Sequence, residues 1–154
     1  MKKKLGTALI LAALSAMMVA CGSAEPKEVD TKDLAAKLIS DGVYTETPEI
    51  ISSDEIEYYM EVEEGVEGIM YMSGGTTGEE VAVFTAPDEE AAIAMKANVE
   101  EFLADQSSEM GAYDPKVVQR IENAVLEQNG KYVILCVSDD SAKAQKIIEE
   151  AFGK

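Results

Sequence analysis

The chain has 154 residues, with 13 Lys+Arg against 30 Asp+Glu and a formal net charge of −17. That balance argues against nucleic acid as a partner, because binding phosphate needs clustered lysine and arginine to release counterions. Histidine and tryptophan are both absent, and without histidine the commonest general base, the commonest zinc ligand and every Ser-His or Cys-His pair are gone.

Met1 is followed by Lys2, Lys3 and Lys4, then by sixteen uncharged residues from Leu5 to Ala20. A basic start and an apolar run are the layout of an export signal. As a helix the run would span ~24 Å at about 1.5 Å per residue, short of a ~30 Å hydrocarbon core. Cys21 ends the run, with Ala20 before it and Gly22 and Ser23 after it. This resembles the lipobox of bacterial lipoproteins, with Met18 in place of the usual leucine three residues before the cysteine. The resemblance implies a diacylglyceryl thioether on Cys21, cleavage before it, and an N-acyl chain on the new terminus. Two acyl chains, at about 0.8 kcal/mol per buried methylene, anchor stably where one is marginal.

Removal of residues 1–20 leaves 134 residues, ten of them basic and 30 acidic, for a net charge of −20. That length suits one small domain with its own core. The charge holds the folded body off an anionic membrane surface, so the lipid is the expected membrane contact. With Cys21 acylated, Cys136 has no partner, and a disulfide scaffold is excluded. Residues 21–31 read as the lipidated cysteine and a polar, proline-containing tether; ten extended residues reach at most roughly 35 Å. Residues 32–154 form the expected domain.

Asp30 or Thr31 caps a predicted helix to about Ser40, with Leu34, Leu38 and Ile39 as its apolar stripe and Asp41-Gly42 as its end. Residues 43–52 read as extended or looped, interrupted by Pro48. Asp54-Glu55 after Ser53 start a short helix with Ile56, Tyr59 and Met60 on one face. Residues 68–86, GIMYMSGGTTGEEVAVFTA, predict a hairpin with a long Gly/Thr loop. Pro87 and the acids 88–90 open a helix with Ala92, Met95, Val99, Phe102 and Leu103 inward. A loop through Pro115 follows. Asn129-Gly130 predicts a two-residue type I′ turn pairing Gln128 with Lys131, Glu127 with Tyr132 and Leu126 with Val133. A last helix turns Ala144, Ile147, Ile148 and Ala151 inward.

The stretches VAVFTAPDEEAA and VILCVSDDSAKA look like two copies of one strand-to-helix junction. The expected fold is therefore α+β: a ββαββα pseudo-repeat, a roughly four-stranded and mainly antiparallel sheet in two layers, preceded by N-terminal helices. Val133, Leu135 and Val137 alternate with Ile134 and Cys136, so both sheet faces are apolar. Either the N-terminal helices or another chain must cover the second face.

Several residues carry a sharper and a plainer reading. Ser73-Gly74-Gly75-Thr76-Thr77-Gly78 lacks the lysine and following helix of a phosphate loop, and Glu79 and Glu80 would repel phosphate. It reads as a hairpin tip, with Ser73 and Thr76 the candidates for ligand contact. The segment 54–67 carries seven acids around Tyr58, Tyr59 and Met60. Its sharper reading is a site for a cation or a basic peptide. Asp54, Glu57, Glu61 and Glu64 are then the candidate oxygen ligands, and Tyr58 and Tyr59 the contacts, since tyrosine suits interfaces. The spacing fits no EF-hand loop, and a solvated acidic face is the plainer reading. Cys136, in an apolar strand without a cationic neighbour in sequence, reads as core.

The lipobox, the tether, the YMSGGTTGEEVAVF hairpin, the Ala/Glu-rich helix and the NGKYVILCVSDD strand before a final helix together resemble the uncharacterised bacterial lipoproteins of domain of unknown function 4358. The resemblance implies an exported, membrane-attached protein, and it supplies no activity or site residues. The expected role is a non-enzymatic binding or interaction module at the cell surface, with an envelope protein as partner and no cofactor. The alternatives are an envelope hydrolase using two carboxylates roughly 5–9.5 Å apart across a cleft, and a cation-binding acidic lipoprotein.

Overall fold

Five strands form one sheet in which every neighbouring pair is antiparallel, in the order β1-β2-β3-β5-β4. The computed structural model describes residues 27–74 and 76–154; the predicted export signal and Cys21 lie outside them. In chain order the elements are α1 (Thr31–Asp41), β1 (Glu49–Ile51), α2 (Ser53–Ile56), β2 (Glu67–Met72), β3 (Glu80–Thr85), α3 (Glu89–Met110), α4 (Pro115–Glu122), β4 (Val125–Asn129), β5 (Tyr132–Val137) and α5 (Ser141–Phe152). Among the described residues no helix is long and apolar enough to cross a membrane.

The α+β class and the antiparallel sheet are as the sequence predicts, with two elements added. Glu49–Ile51 forms a fifth, edge strand, pairing Ile50 with Tyr71. Residues 115–122, where the sequence reading has a loop through Pro115 and no helix, are helical. Asp114 accepts from Lys116 N at 2.9 Å, Pro115 occupies the first turn, and Val117 and Ile121 are buried one turn apart.

The sheet is covered on both faces, so the domain has three layers where two were expected. Ala82, Phe84, Val133, Leu135 and Val137 pack with Met95, Val99 and Phe102 of α3 and with Val117 and Ile121 of α4. On the other face Val81, Val83, Ile134 and Cys136 meet Leu34 and Leu38 of α1 and Ile147, Ile148 and Phe152 of α5. Intramolecular cover thus buries the second face. Each fully buried aliphatic or aromatic side chain there is worth roughly 1.5–3 kcal/mol. The predicted tether is partly fastened: Val29 N donates to Tyr132 Oη at 3.2 Å, and Glu28 pairs with Lys131 at 3.2 Å.

The β4–β5 hairpin turns one step later than expected. Asn129 pairs with Tyr132, Gln128 with Val133 and Leu126 with Leu135. The two turn residues are Gly130 and Lys131. Gly130 has φ 57°, while no described non-glycine residue has positive φ. Positive φ at the first turn position alone is the type II′ pattern, not type I′. Each β4 residue moves two places along β5, which preserves the faces; a one-residue slip would have exchanged them.

The two strand-to-helix junctions do match in detail. Asp88 caps α3 by accepting from Ala91 N, and Asp140 caps α5 by accepting from Lys143 N, each at 2.9 Å. Yet α3 and α5 lie on opposite faces. A two-fold axis normal to the sheet, the rotation that exchanges antiparallel neighbours, would leave both helices on one face. The expected ββαββα succession is present as β2-β3-α3 and β4-β5-α5, with α4 between them, but the two units are not related by a rotation of the sheet.

Candidate functional site

Two polar clusters mark this domain, and two of its shallow concavities are lined by residues singled out from the sequence. The first cluster centres on Arg120, the chain's sole arginine. Its Nε and Nη2 donate to Asp139, Nη2 also reaches Thr45 Oγ1 at 3.2 Å, and Nη1 donates to the Thr77 carbonyl. Glu79, fully buried, accepts from the backbone N–H groups of Thr45 and Glu46 and lies 3.8 Å from Arg120 Nε. These bonds tie the 43–46 loop, the hairpin loop, α4 and the end of β5 together. The Arg120 guanidinium, and secondarily the Thr45 hydroxyl, holds the Asp139 carboxyl below its ordinary range.

The second cluster is Glu80 with Gln106. Glu80 is 1% exposed, and Gln106 Nε2 donates to its Oε1. Burial pushes the Glu80 carboxyl up to about 8, against a smaller lowering by Gln106. Glu79 and Glu80 thus go to different partners, the 45–46 backbone and α3, and do not face one another across a cleft.

The concavity that gathers sequence candidates is a pocket of about 350 Å³ between α2 and the start of β2. Ile56, Val62, Val66 and Phe84 give it an apolar floor, and Asp54, Glu57 and Glu67 are exposed at its rim. None of the three rim carboxylates has an ion-pair partner among the described residues. Local chemistry fixes this rim. Ser52 N and Oγ both donate to Glu55 Oε2, at 2.8 and 2.6 Å, closing the start of α2. Glu55 is spent on that cap, its carboxyl held low first by the Ser52 hydroxyl. Asp54 and Glu57 are left free to face the pocket. Gly68 completes the opening, since a Cβ there would stand 2.1 Å from the Phe84 ring.

The remaining candidates separate. Tyr59 and Glu61 line a second concavity of about 210 Å³ with Asn98 and Asp105. Asn98 donates there to the Glu61 carbonyl and to Glu63 Oε1. Tyr58 is 86% exposed, and Glu64 is exposed and lines neither concavity. Among the described residues no group of three or more His, Cys, Asp or Glu is placed to hold a metal ion, so Asp54, Glu57, Glu61 and Glu64 do not converge. Ser73 closes the hairpin loop, accepting from Thr77 Oγ1 at 2.8 Å and from Glu79 N at 3.2 Å. Thr76 is exposed beside it.

A family model, Domain of unknown function (DUF4358), matches residues 41–138. The chain belongs to this family. The match spans all five strands with α2, α3 and α4. It contains the acid-rimmed pocket, the Glu80–Gln106 pair and the Arg120 cluster apart from Asp139, which lies one residue past its end. The helices that cover the second face, α1 and α5, fall almost wholly outside it. No curated protein and no solved structure matches the chain.

Sequence reasoning missed the burial of Glu79 and Glu80 and the central place of Arg120. A lone arginine in so acidic a chain is the signal that pointed to the latter. Nothing in the string GEEVAVF separates a buried carboxylate from a loop-end charge.

Proposed function

We propose that this member of the family is a lipid-anchored extracytoplasmic binding module, moored through acylated Cys21, that receives a basic side chain of an envelope partner in the α2–β2 pocket. The observation that carries the reading is the pocket's composition: an apolar floor under three carboxylates that no described cation neutralises. Lysine and arginine have this profile in reverse, an aliphatic stem with a charged head. Ile50, Tyr58 and Tyr59, exposed on either side of α2 in sequence, supply apolar contact area around it. A mature charge near −20 steers a basic partner toward the domain.

Two experiments test the two halves. A photo-crosslinker at Tyr58 in the lipidated protein, in native membranes, should capture a specific basic partner. Asp54→Asn with Glu57→Gln should abolish the capture; crosslinking that is diffuse or indifferent to the pair would sink the pocket reading. Separately, a Cys21→Ala chain should leave the membrane fraction, and its retention there would sink the anchor.

A further inference from the structure

The Glu80–Gln106 pair has one hydrogen bond and two buried oxygens that lack any. One bond runs from Gln106 Nε2 to Glu80 Oε1, while Glu80 Oε2 and Gln106 Oε1 are both buried without a partner. Both atoms are acceptors when Glu80 is ionised, so nothing can join them. One hydrogen on Glu80 Oε2 would supply the missing donor, and a cyclic acid–amide pair is the arrangement that uses it.

The surroundings favour that hydrogen. Glu80 stands between Met72 of β2 and Val137 of β5. The space around Gln106 Oε1 is shared with Val117 and Ile121 of α4, which approach the same point at Gly78. The charged groups of the adjoining elements are engaged elsewhere or exposed. Arg120 of α4 is committed to Asp139, Thr45 and Thr77, and Glu79 to the 45–46 backbone. Asp105 and Glu109 of α3 and Lys116 of α4 are exposed. Among the described residues no cation pairs with Glu80.

The pair also sits where α3 has least other purchase. The buried residues of α3 end at Phe102, and over the rest of the helix, to Met110, only Leu103 and Met110 reach the core, each partly buried. Gln106 is thus the polar anchor of the last two turns.

We propose that Glu80 and Gln106 form a proton-dependent latch, in which a neutral Glu80 carboxyl bonded twice to the Gln106 amide holds the end of α3 on the sheet, and loss of the proton releases it. The latch is independent of any partner docking at α2. Ionisation leaves two buried acceptors without a donor, Glu80 Oε2 and Gln106 Oε1, at a cost relieved by letting water in beneath residues 103–110. The upward displacement of the Glu80 carboxyl, caused by burial, agrees in direction.

Hydrogen exchange and carbon NMR on the full chain in detergent provide the test. The Glu80 carboxyl carbon should report the neutral acid at pH 6.5 and titrate in the alkaline range. Amide protection over 103–110, corrected for intrinsic exchange, should fall at least tenfold between pH 6.5 and 9.5 relative to residues 92–99. Glu80→Gln replaces the acid's O–H donor with an amide N–H and cannot titrate, so its protection should stay level. An ionised Glu80 carboxyl at pH 6.5 would overturn the latch, a result readable in the unaltered chain even where the variant misfolds. Equal loss of protection in Glu80→Gln and the unaltered chain would overturn it as well.

Discussion

Arg120 binds one oxygen of Asp139 twice, from Nε at 2.9 Å and from Nη2 at 2.7 Å, while the other Asp139 oxygen accepts from Thr45 at 2.9 Å. This pairing joins α4 to the end of β5 and brings the same guanidinium within 3.8 Å of buried Glu79. Removal of the cation leaves Glu79 charged and buried with only backbone donors. Arg120→Met should therefore destabilise the fold by about 3 kcal/mol, the usual scale for orphaning one member of a buried pair. Arg120→Lys should recover only part, because a lysine cannot reproduce the planar fork. Urea unfolding of the three chains measures it, and a loss under 1 kcal/mol for Arg120→Met would mean that the backbone amides alone carry Glu79.

The same pair sets the acid side of the stability profile. The Asp139 carboxyl is lower in the folded state than the ordinary 3.8, first through Arg120 and then through Thr45, with partial desolvation opposing. A group depressed on folding stabilises fully above its unfolded value, and that contribution disappears as pH falls through the folded one. Asp139→Asn should flatten the unfolding midpoint below pH 4 relative to the unaltered chain. Parallel curves would show that other carboxylates dominate acid unfolding.

The sheet was legible in the sequence because alternating apolar residues and glycine-marked turns are local signals. Leu34, Leu38, Met95, Val99, Ile147 and Ile148 all lie inward as the helical spacing predicts. β1 escaped because three residues after Pro48 are too few to show a period. α4 carried its signals, an aspartate cap, a proline and two apolar residues one turn apart, but its short apolar stripe is easily read as loop. The hairpin register failed through the turn: Asn-Gly favours positive φ at both residues, but in the fold Gly130 and Lys131 take the corner. The site divides in the same way. Asp54 and Glu57 were legible as an acidic face, whereas the floor beneath them is completed by Phe84 of β3, distant in sequence from the local Ile56, Val62 and Val66. The Glu80–Gln106 pair depends on α3 crossing the sheet, which no local pattern encodes.

Gly68 links that pocket to the core. An alanine there would place its Cβ 2.1 Å from Phe84 Cδ1 and 2.7 Å from Cε1, and Phe84 is 1% exposed and fixed. Gly68→Ala should cost about 1–3 kcal/mol through overpacking, and the displaced ring should narrow the pocket. Thermal unfolding, compared with Glu64→Ala on the exposed loop, checks the first effect. Loss of the Tyr58 crosslink checks the second. A fold as stable as the parent would show that Phe84 has a second accessible rotamer.

Cys136 offers a chemical readout of the whole core. Its thiol is fully buried on β5, 3.7 Å from Tyr44 Oη, and burial pushes its pKa up against weaker opposing hydrogen bonds from Tyr44 and Ser138. The thiolate is the reactive form, so both access and ionisation protect it. If Cys21 is acylated as proposed, the native protein should resist maleimide at pH 7 and take up a single label on denaturation. The native labelling rate should then track opening of the β3–β5 centre, slowing with any change that stabilises the sheet. Rapid native labelling would place Cys136 outside the core, and a second label on denaturation would show a free thiol at Cys21, against the proposed thioether.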